Sequence, residues 1–527
     1  MITFDVLTLK AFLNEEKDFL TGARINKIQQ PTRREFVFTL RNNGISRQFY
    51  VNITPQMYHV CFMAKDNTQK RRLEIPQKPP MFCMQLRKYL ENSRISKVNQ
   101  PDNERILEFY IETYSEIGDK IYLCLAFELM GKYSNVILYN CDTDIIIGCA
   151  HNVGAEKSRK REIYGGIPYI YPPSQIKSDI LNYNGEVNYE SLSSDFNMFS
   201  GAFAKLCQGK TLEQLKNYVL LKNLKPAITK DFKSYCIYEE LITDAFETGS
   251  VNEMIDTYYT HYIELEKFTE LKNHYKSDIL QKLKKITKTL QQMENQIKSS
   301  SEYDKYRLFG DLIMANLYNQ KDYTEAINVY DYENNQDITI RLDPLKTLKD
   351  NANTFYKLYN KSKTARTKLG EFIESYRSKK EYLEQVLYSI ENSQNIDELD
   401  EISPEIEEQK TTKKQQPPTV TKFELDDGSR IFVGKNNKQN DYIVSKLADD
   451  EDLWFHVHNC AGSHVLLKTQ NLTDELILYC AKLAKEYSTA ANNAKTGVIY
   501  TKRKYLKKPP GAALGYVTYR NEKEIIV

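Results

Sequence analysis

Tryptophan occurs once in the 527 residues and histidine seven times. No apolar run approaches the roughly 20 residues that span a bilayer as a helix. The opening "MITFDVLTLK" also lacks the basic region and apolar stretch of a signal peptide, so a cytoplasmic protein that makes no membrane contact is expected. The nine cysteines (Cys61, Cys83, Cys124, Cys141, Cys149, Cys207, Cys236, Cys460, Cys480) include no C-x-x-C pair, which argues against a zinc ribbon and a disulfide framework. Neither a G-x-x-x-x-G-K-[ST] loop nor a G-x-G-x-x-G fingerprint occurs, so no nucleotide or dinucleotide cofactor is encoded. An excess of one charge is missing too. With 73 basic and 71 acidic residues the net charge is +2, and any nucleic-acid surface must be local. No internal repeat is evident.

What is present is a chain too long for one hydrophobic core, with 41% apolar and 27% charged residues. Its patterning predicts an α+β multidomain protein. Residues 1–175 open with an amphipathic helix carrying Leu9, Phe12, Leu13 and Leu20, then alternate as strands in "EFVFTL" and "RQFYVNI". A helix "MFCMQLRKYLENSRI" and the strands "RILEFYIET", "KIYLCLAFEL" and "NVILYN" complete a strand-rich domain. Residues 176–255 read as short helices, "KPAITKDFKSYCIYEELI" among them.

Over residues 256–395, Ile279, Leu283, Ile286, Leu290, Met293 and Ile297 recur at coiled-coil spacing, answered by Leu369, Phe372, Tyr376, Leu383, Leu387 and Ile390. Two antiparallel helices of about 30 residues, joined by a compact insert, would make an arm of about 45 Å. Residues 396–418, charged and proline-containing, read as a flexible linker, and 419–527 as a separate α+β domain.

That last domain holds "DLWFHVHNCAGSHVLL", with the single tryptophan and three histidines. Strand alternation puts Trp454, His456 and His458 on one face. Four readings stay open: a zinc site with His464, a histidine base beside Ser463, a packed structural cluster, or an aromatic face that stacks on RNA beside the basic run "KRKYLKKPPG" with Lys507 and Lys508. In the first domain Arg24, Lys27, Arg33, Arg34, Arg87 and Lys88 are candidate phosphate contacts. The turn "MGKYSN" adds Lys132, Ser134 and Asn135.

The stretches "IFVGKNNKQNDYIVSKLADDEDLWFHVHNCAGSHVLL", "KKPPGAALGYVTY", "PPMFCMQLRKYLENSRI", "NERILEF", "FELMGKYSNVIL" and "YRLFGDLIMANLY" together resemble the NFACT family over essentially the whole chain. The resemblance implies a non-enzymatic ribosome-associated quality-control factor. It would bind large ribosomal subunits, through rRNA and ribosomal proteins, that still carry a tRNA-linked nascent chain. It would recruit tRNA, with alanyl-tRNA expected, so that the ribosome adds an untemplated tail; a small RNA-binding helper protein is a further implied partner. The family's Asp-Arg pair for tRNA engagement corresponds to Glu104-Arg105, its Phe-Asp-Gly to Phe4-Asp5-Val6, and its C-terminal pattern to Asp452, Trp454, His456, Gly462, Ser463 and His464. His458 lies outside that pattern. The first two domains of the family look like formamidopyrimidine-type DNA glycosylases with a helix-hairpin-helix segment, but this sequence lacks the N-terminal proline and the four-cysteine finger of that chemistry. The competing expectation is a surface adhesin for fibronectin, a label attached to relatives of the family.

Overall fold

The computed structural model describes residues 4–527 apart from 102–103, 115–117, 157, 159, 174–176, 301–302, 407–416 and the side chains of 299 and 300. It divides into two compact units, Met1–Glu266 and Lys267–Val527.

In the first unit, Asp5 caps the helix Val6–Leu20 by accepting from the Thr8 N–H at 2.9 Å, and the helix buries Leu9, Phe12, Leu13 and Leu20 as their spacing predicts. One nine-stranded antiparallel sheet follows. Its spatial order is His59–Met63, Ile45–Asn52, Glu35–Asn42, Arg24–Thr32, Arg94–Asn99, Ile106–Tyr114, Lys120–Glu128, Asn135–Asn140, Ile146–Cys149. The two halves meet where Arg24 pairs with Arg94.

That junction corrects the expectation of no internal repeat. "ARINKIQQP" (23–31) and "SRISKVNQP" (93–101) align with Arg24, Ile25, Lys27, Gln30 and Pro31 matched to Arg94, Ile95, Lys97, Gln100 and Pro101. Their backbones are related about a local dyad. The Ile25 N–H donates to Ser93 O as the Ile95 N–H does to Ala23 O, both at 2.9 Å, and the Gly22 and Asn92 N–H groups reach Ile95 O and Ile25 O, both at 2.7 Å. Each strand also shifts register at the same step, between Ile25 and Lys27 and between Ile95 and Lys97. The match is short and the flanking residues differ, so the repeat shows in the backbone before it shows in the letters.

Residues 176–255 depart from an all-helical reading. The expected helix in "KPAITKDFKSYCIYEELI" is a pair of short strands, Ala227–Thr229 and Tyr235–Cys236, joined in a sheet with Ala245–Glu247. Pro226 supplies no N–H, Ile228 and Thr229 are β-branched, and Phe232 sits at φ +55, all of which oppose a helix. Ile180, Leu192, Phe203, Leu215 and Tyr235 are buried in the same core as the large sheet.

The two long helices, Val251–Ser300 and Leu348–Asn392, have 50 and 45 residues instead of about 30, so the first is about 75 Å long at 1.5 Å per residue. It starts early because Met254, Ile255, Tyr258 and Ile263 are buried in the first unit's core, upstream of the seam. In the second unit Ile279, Ile286 and Leu290 pack against Ile373, Leu383, Val386 and Ile390. Phe372, expected in the seam, is 57% exposed; Ile373, four residues after Leu369, takes its place. The insert is a helix, Asp304–Ala315, on a hairpin of Ala326–Asp331 and Gln336–Arg341.

The expected linker is a helix over Ile396–Ile406, and residues 407–416 of its remainder lie outside the described residues. Ile396, Leu399, Ile402 and Ile406 are spaced for one face and are buried against the coil, which is why this acidic segment folds. Beyond it, six antiparallel strands run in the order Thr421–Glu424, Arg430–Val433, Val465–Lys468, Leu453–Val457, Gly497–Lys502, Lys523–Ile526. Helix Asp474–Glu486 covers one face through Ile477, Cys480, Ala481 and Ala484. On the other face Trp454 packs with Val444, Ile499 and Leu506.

Candidate nucleic-acid interface

Alternation along Leu453–Val457 sends Phe455 and Val457 into the core under helix Asp474–Glu486 and turns Trp454 and His456 the opposite way. Their rings lie near parallel with centroids 5.8 Å apart. His464, immediately before the next strand, stands edge-on to both, at 5.1 Å from Trp454 and 5.4 Å from His456. Burial pulls His456 down to about 4 and holds His464 well below its ordinary value, with His456 adding to that shift, so both imidazoles are neutral at pH 7. His458 falls after the strand and leaves the group, pairing with Glu524 at 3.2 Å. Among the described residues no three His, Cys, Asp or Glu side chains converge on a metal-sized site.

Gly462 turns the chain between these strands, where a Cβ would stand 2.7 Å from Ser488 Cβ and 3.2 Å from Tyr487 O. Gln385 of the long helix Leu348–Asn392 reads both sides of that glycine, accepting from its N–H at 2.7 Å and donating to its carbonyl at 2.8 Å. The Ile396–Ile406 helix docks on the same domain: Glu401 accepts from Asn436 and Gln439 at 2.9 and 2.8 Å, and Glu405 from Asn437 at 2.9 Å. Asn440 Oδ1 accepts from the His464 N–H at 3.0 Å. The polar run "NNKQN" is therefore docking and capping machinery, a role its composition alone did not reveal.

Other expected contacts are occupied inside the protein. Asp452 forms an ion pair with Lys468 at 2.9 Å and accepts from the Asp449 N–H at 2.7 Å. Lys508 is paired with Asp441, and Lys502 and Lys504 with Glu451, so the basic run is largely neutralised in place; Lys507 is exposed. Ser463 is buried.

In the first unit, Ser134 accepts from the Met130 N–H at 2.8 Å, while Asn135 accepts from the Val136 and His151 N–H groups and donates to the His151 carbonyl. Both are buried and shape the turn, which leaves Lys132 exposed at its tip. Arg87 Nε donates to the Ile28 carbonyl at 2.8 Å and holds a strand; Lys88 beside it is exposed. Arg105 donates to Tyr58 Oη at 2.7 Å. Glu104 is tied by its backbone, its N–H to Pro101 O at 2.8 Å and its carbonyl to Gln100 Nε2 at 2.9 Å.

The bulge in each half of the repeat has a consequence for charge. Without the extra residue Asn26, Lys27 would share the buried face with Ile25; the shift returns it to the exposed face with Arg24. Ser96 does the same for Lys97 and Arg94. Four exposed cations thus flank the dyad. Arg94 and Lys97 escaped sequence reading because the repeat did.

Models of known families match throughout: NFACT N-terminal and middle domains over residues 5–209 and 202–422, and the NFACT protein RNA binding domain over 419–520. The chain belongs to the NFACT family. Among curated NFACT relatives, the Rqc2 homolog RqcH of Bacillus subtilis is 29% identical across 100% of this chain and 98% of its own length. That of Streptococcus suis is 30% identical with the same coverage. A solved structure, the N-terminal part of the fibronectin/fibrinogen-binding protein from Streptococcus suis, is 29% identical with a TM-score of 0.44, covering 49% of this chain and 100% of that one. The NFACT RNA-binding match contains the whole Trp454–His464 group, so that group sits in an RNA-binding domain. No helix among the described residues is long and apolar enough to cross a membrane.

Proposed function

We propose that this chain is a cytoplasmic ribosome-associated quality-control factor, which holds a large subunit carrying a stalled, tRNA-linked nascent chain and recruits tRNA for untemplated tailing. Full-length similarity to two RqcH proteins, together with the NFACT RNA-binding domain, supports ribosome quality control as the setting. The observation that carries the tRNA step is the cation group Arg24, Lys27, Arg94 and Lys97 about the dyad. Phosphates on a nucleic-acid backbone attract such a group without regard to base sequence. Arg105 and Lys132 are further candidate contacts in the same unit, and alanyl-tRNA is the proposed cargo. Peptide-bond formation is left to the ribosome, and a small RNA-binding helper is a proposed partner.

Purification of the tagged chain from its own cells at low salt, followed by sequencing of the bound RNA, tests this reading. Large-subunit rRNA with one dominant elongator tRNA is the expected result; RNA at background level sinks it. Arg105→Ala should lower tRNA recovery while large-subunit rRNA stays bound. With both Lys27→Glu and Lys97→Glu, the salt dependence of tRNA binding should flatten by about one unit of slope per lysine.

A further inference from the structure

A cleft of about 1010 Å³ opens in the second unit over the Trp454 group, walled by Tyr382 and Gln385 of the long helix and rimmed by residues 509–517. Its size is at the upper end of the roughly 300–1,000 Å³ usual for small-molecule sites. Trp454, His456 and His464 all line it. Trp454 is 1% exposed and His464 4%, yet Trp454 Nε1 and His464 Nδ1 make no hydrogen bond among the described residues. Buried polar atoms are nearly always satisfied, and leaving one unsatisfied is costly, so two in one place call for a ligand.

The chemistry of the lining selects among ligands. The charged side chains on the wall are Lys379, Glu381 and Glu384, which give a bare phosphate no net attraction. Two neutral imidazoles and an indole N–H instead offer donors and an acceptor at the edge of flat rings. A neutral, planar ligand with a mixed hydrogen-bonding edge matches this set.

We propose that the cleft takes one unstacked nucleobase of a single-stranded or looped RNA, its edge meeting Trp454 Nε1 and His464 Nδ1 and its face lying against the His456 ring. The sugar-phosphate chain stays at the mouth, where the exposed Lys507 lies two residues before the rim residue Pro509. Base recognition by extrusion into an aromatic pocket is how proteins commonly read looped RNA. This rests on the RNA-binding reading of the domain and adds what part of the RNA is bound.

Because Trp454 is the sole tryptophan, its emission in the full chain reports on the cleft directly. The probes are a short single-stranded RNA, the same strand made wholly abasic, and inorganic phosphate, with strand binding followed in parallel by anisotropy. The strand with bases should quench Trp454 and bind about five- to 150-fold more tightly than the abasic strand, equivalent to the roughly 1–3 kcal/mol of one stacked base. His456→Ala should abolish the base-dependent gain, His456→Gln should restore part of it, and Lys507→Glu should weaken both strands while leaving the quench at saturation intact. Equal affinity and equal quenching by both strands, or quenching by phosphate, overturns the proposal even if the His456 variants fail to fold. RNA that binds without quenching, and equally well to His456→Ala, removes the base pocket alone. Absence of any RNA binding removes the RNA-binding reading with it.

Discussion

Each unit of this protein buries a polar cluster, and the two are built on opposite principles. In the first, Arg71 is wholly buried and fully engaged. Its Nη2 pairs with Asp256 at 2.8 Å, its Nε donates to Thr260 at 2.8 Å, and its Nη1 faces His59 Nε2 at 3.4 Å. A guanidinium only donates, so His59 Nε2 accepts and its Nδ1–H goes to the Met57 carbonyl at 2.6 Å. Burial first, and Arg71 second, keep that imidazole neutral. Asp256 also accepts from the Ala64 N–H and Asn67, tying the start of the long helix to the segment after the edge strand. None of these side chains leaves a buried polar atom unpartnered, whereas the Trp454 group leaves two. A closed network holds elements together; an open one under a cleft has bonding capacity left for something else.

Substitutions can break this contrast. Arg71→Ala leaves the Asp256 carboxylate buried without its partner and should cost about 3–5 kcal/mol, read as a lower denaturant midpoint for the first unit. Thr260→Val keeps the shape but strands the Arg71 Nε donor, at about 1–3 kcal/mol.

Acid should weaken the second unit through His456. Its folded value is about 4 against an ordinary 6.5, so between those values only the unfolded chain takes up the proton. Stability is full above pH 6.5 and falls by about 1.4 kcal/mol per pH unit down to about pH 4. His464 adds in the same direction. Denaturation at several pH values should show a shallower slope for His456→Gln than for the native chain.

The smallest effect sharpens the comparison most. Ser463→Ala removes an unpartnered hydroxyl and should leave stability unchanged or raise it by up to about 1 kcal/mol, opposite in sign to Thr260→Val. A loss above about 1 kcal/mol would show that Ser463 Oγ has a partner in the folded chain.

Much of the site was legible from local pattern. Period-two alternation placed Trp454 and His456 together, and the seam from Ile279 to Leu290 was visible at its 4-3-4 spacing. The amphipathic spacing of Ile396, Leu399, Ile402 and Ile406 was equally present, but charge and Pro404 masked it. Ser134, Asn135 and Asp452 were misleading for another reason: a polar residue next to lysines looks the same in sequence whether it faces solvent or satisfies a backbone N–H inside a turn.

The sequence by itself determined most of the helices and strands, and the side of the strand on which Trp454 and His456 fall, because those follow from spacings of two, three and four residues. Only the tertiary structure decided that Arg24 and Lys27 stand beside Arg94 and Lys97, that His464 joins the tryptophan while His458 leaves it, and that the acidic helix docks on "NNKQN". Those outcomes depend on pairings between residues far apart in the chain, where register and burial are set by the packing of whole elements and no local period records them.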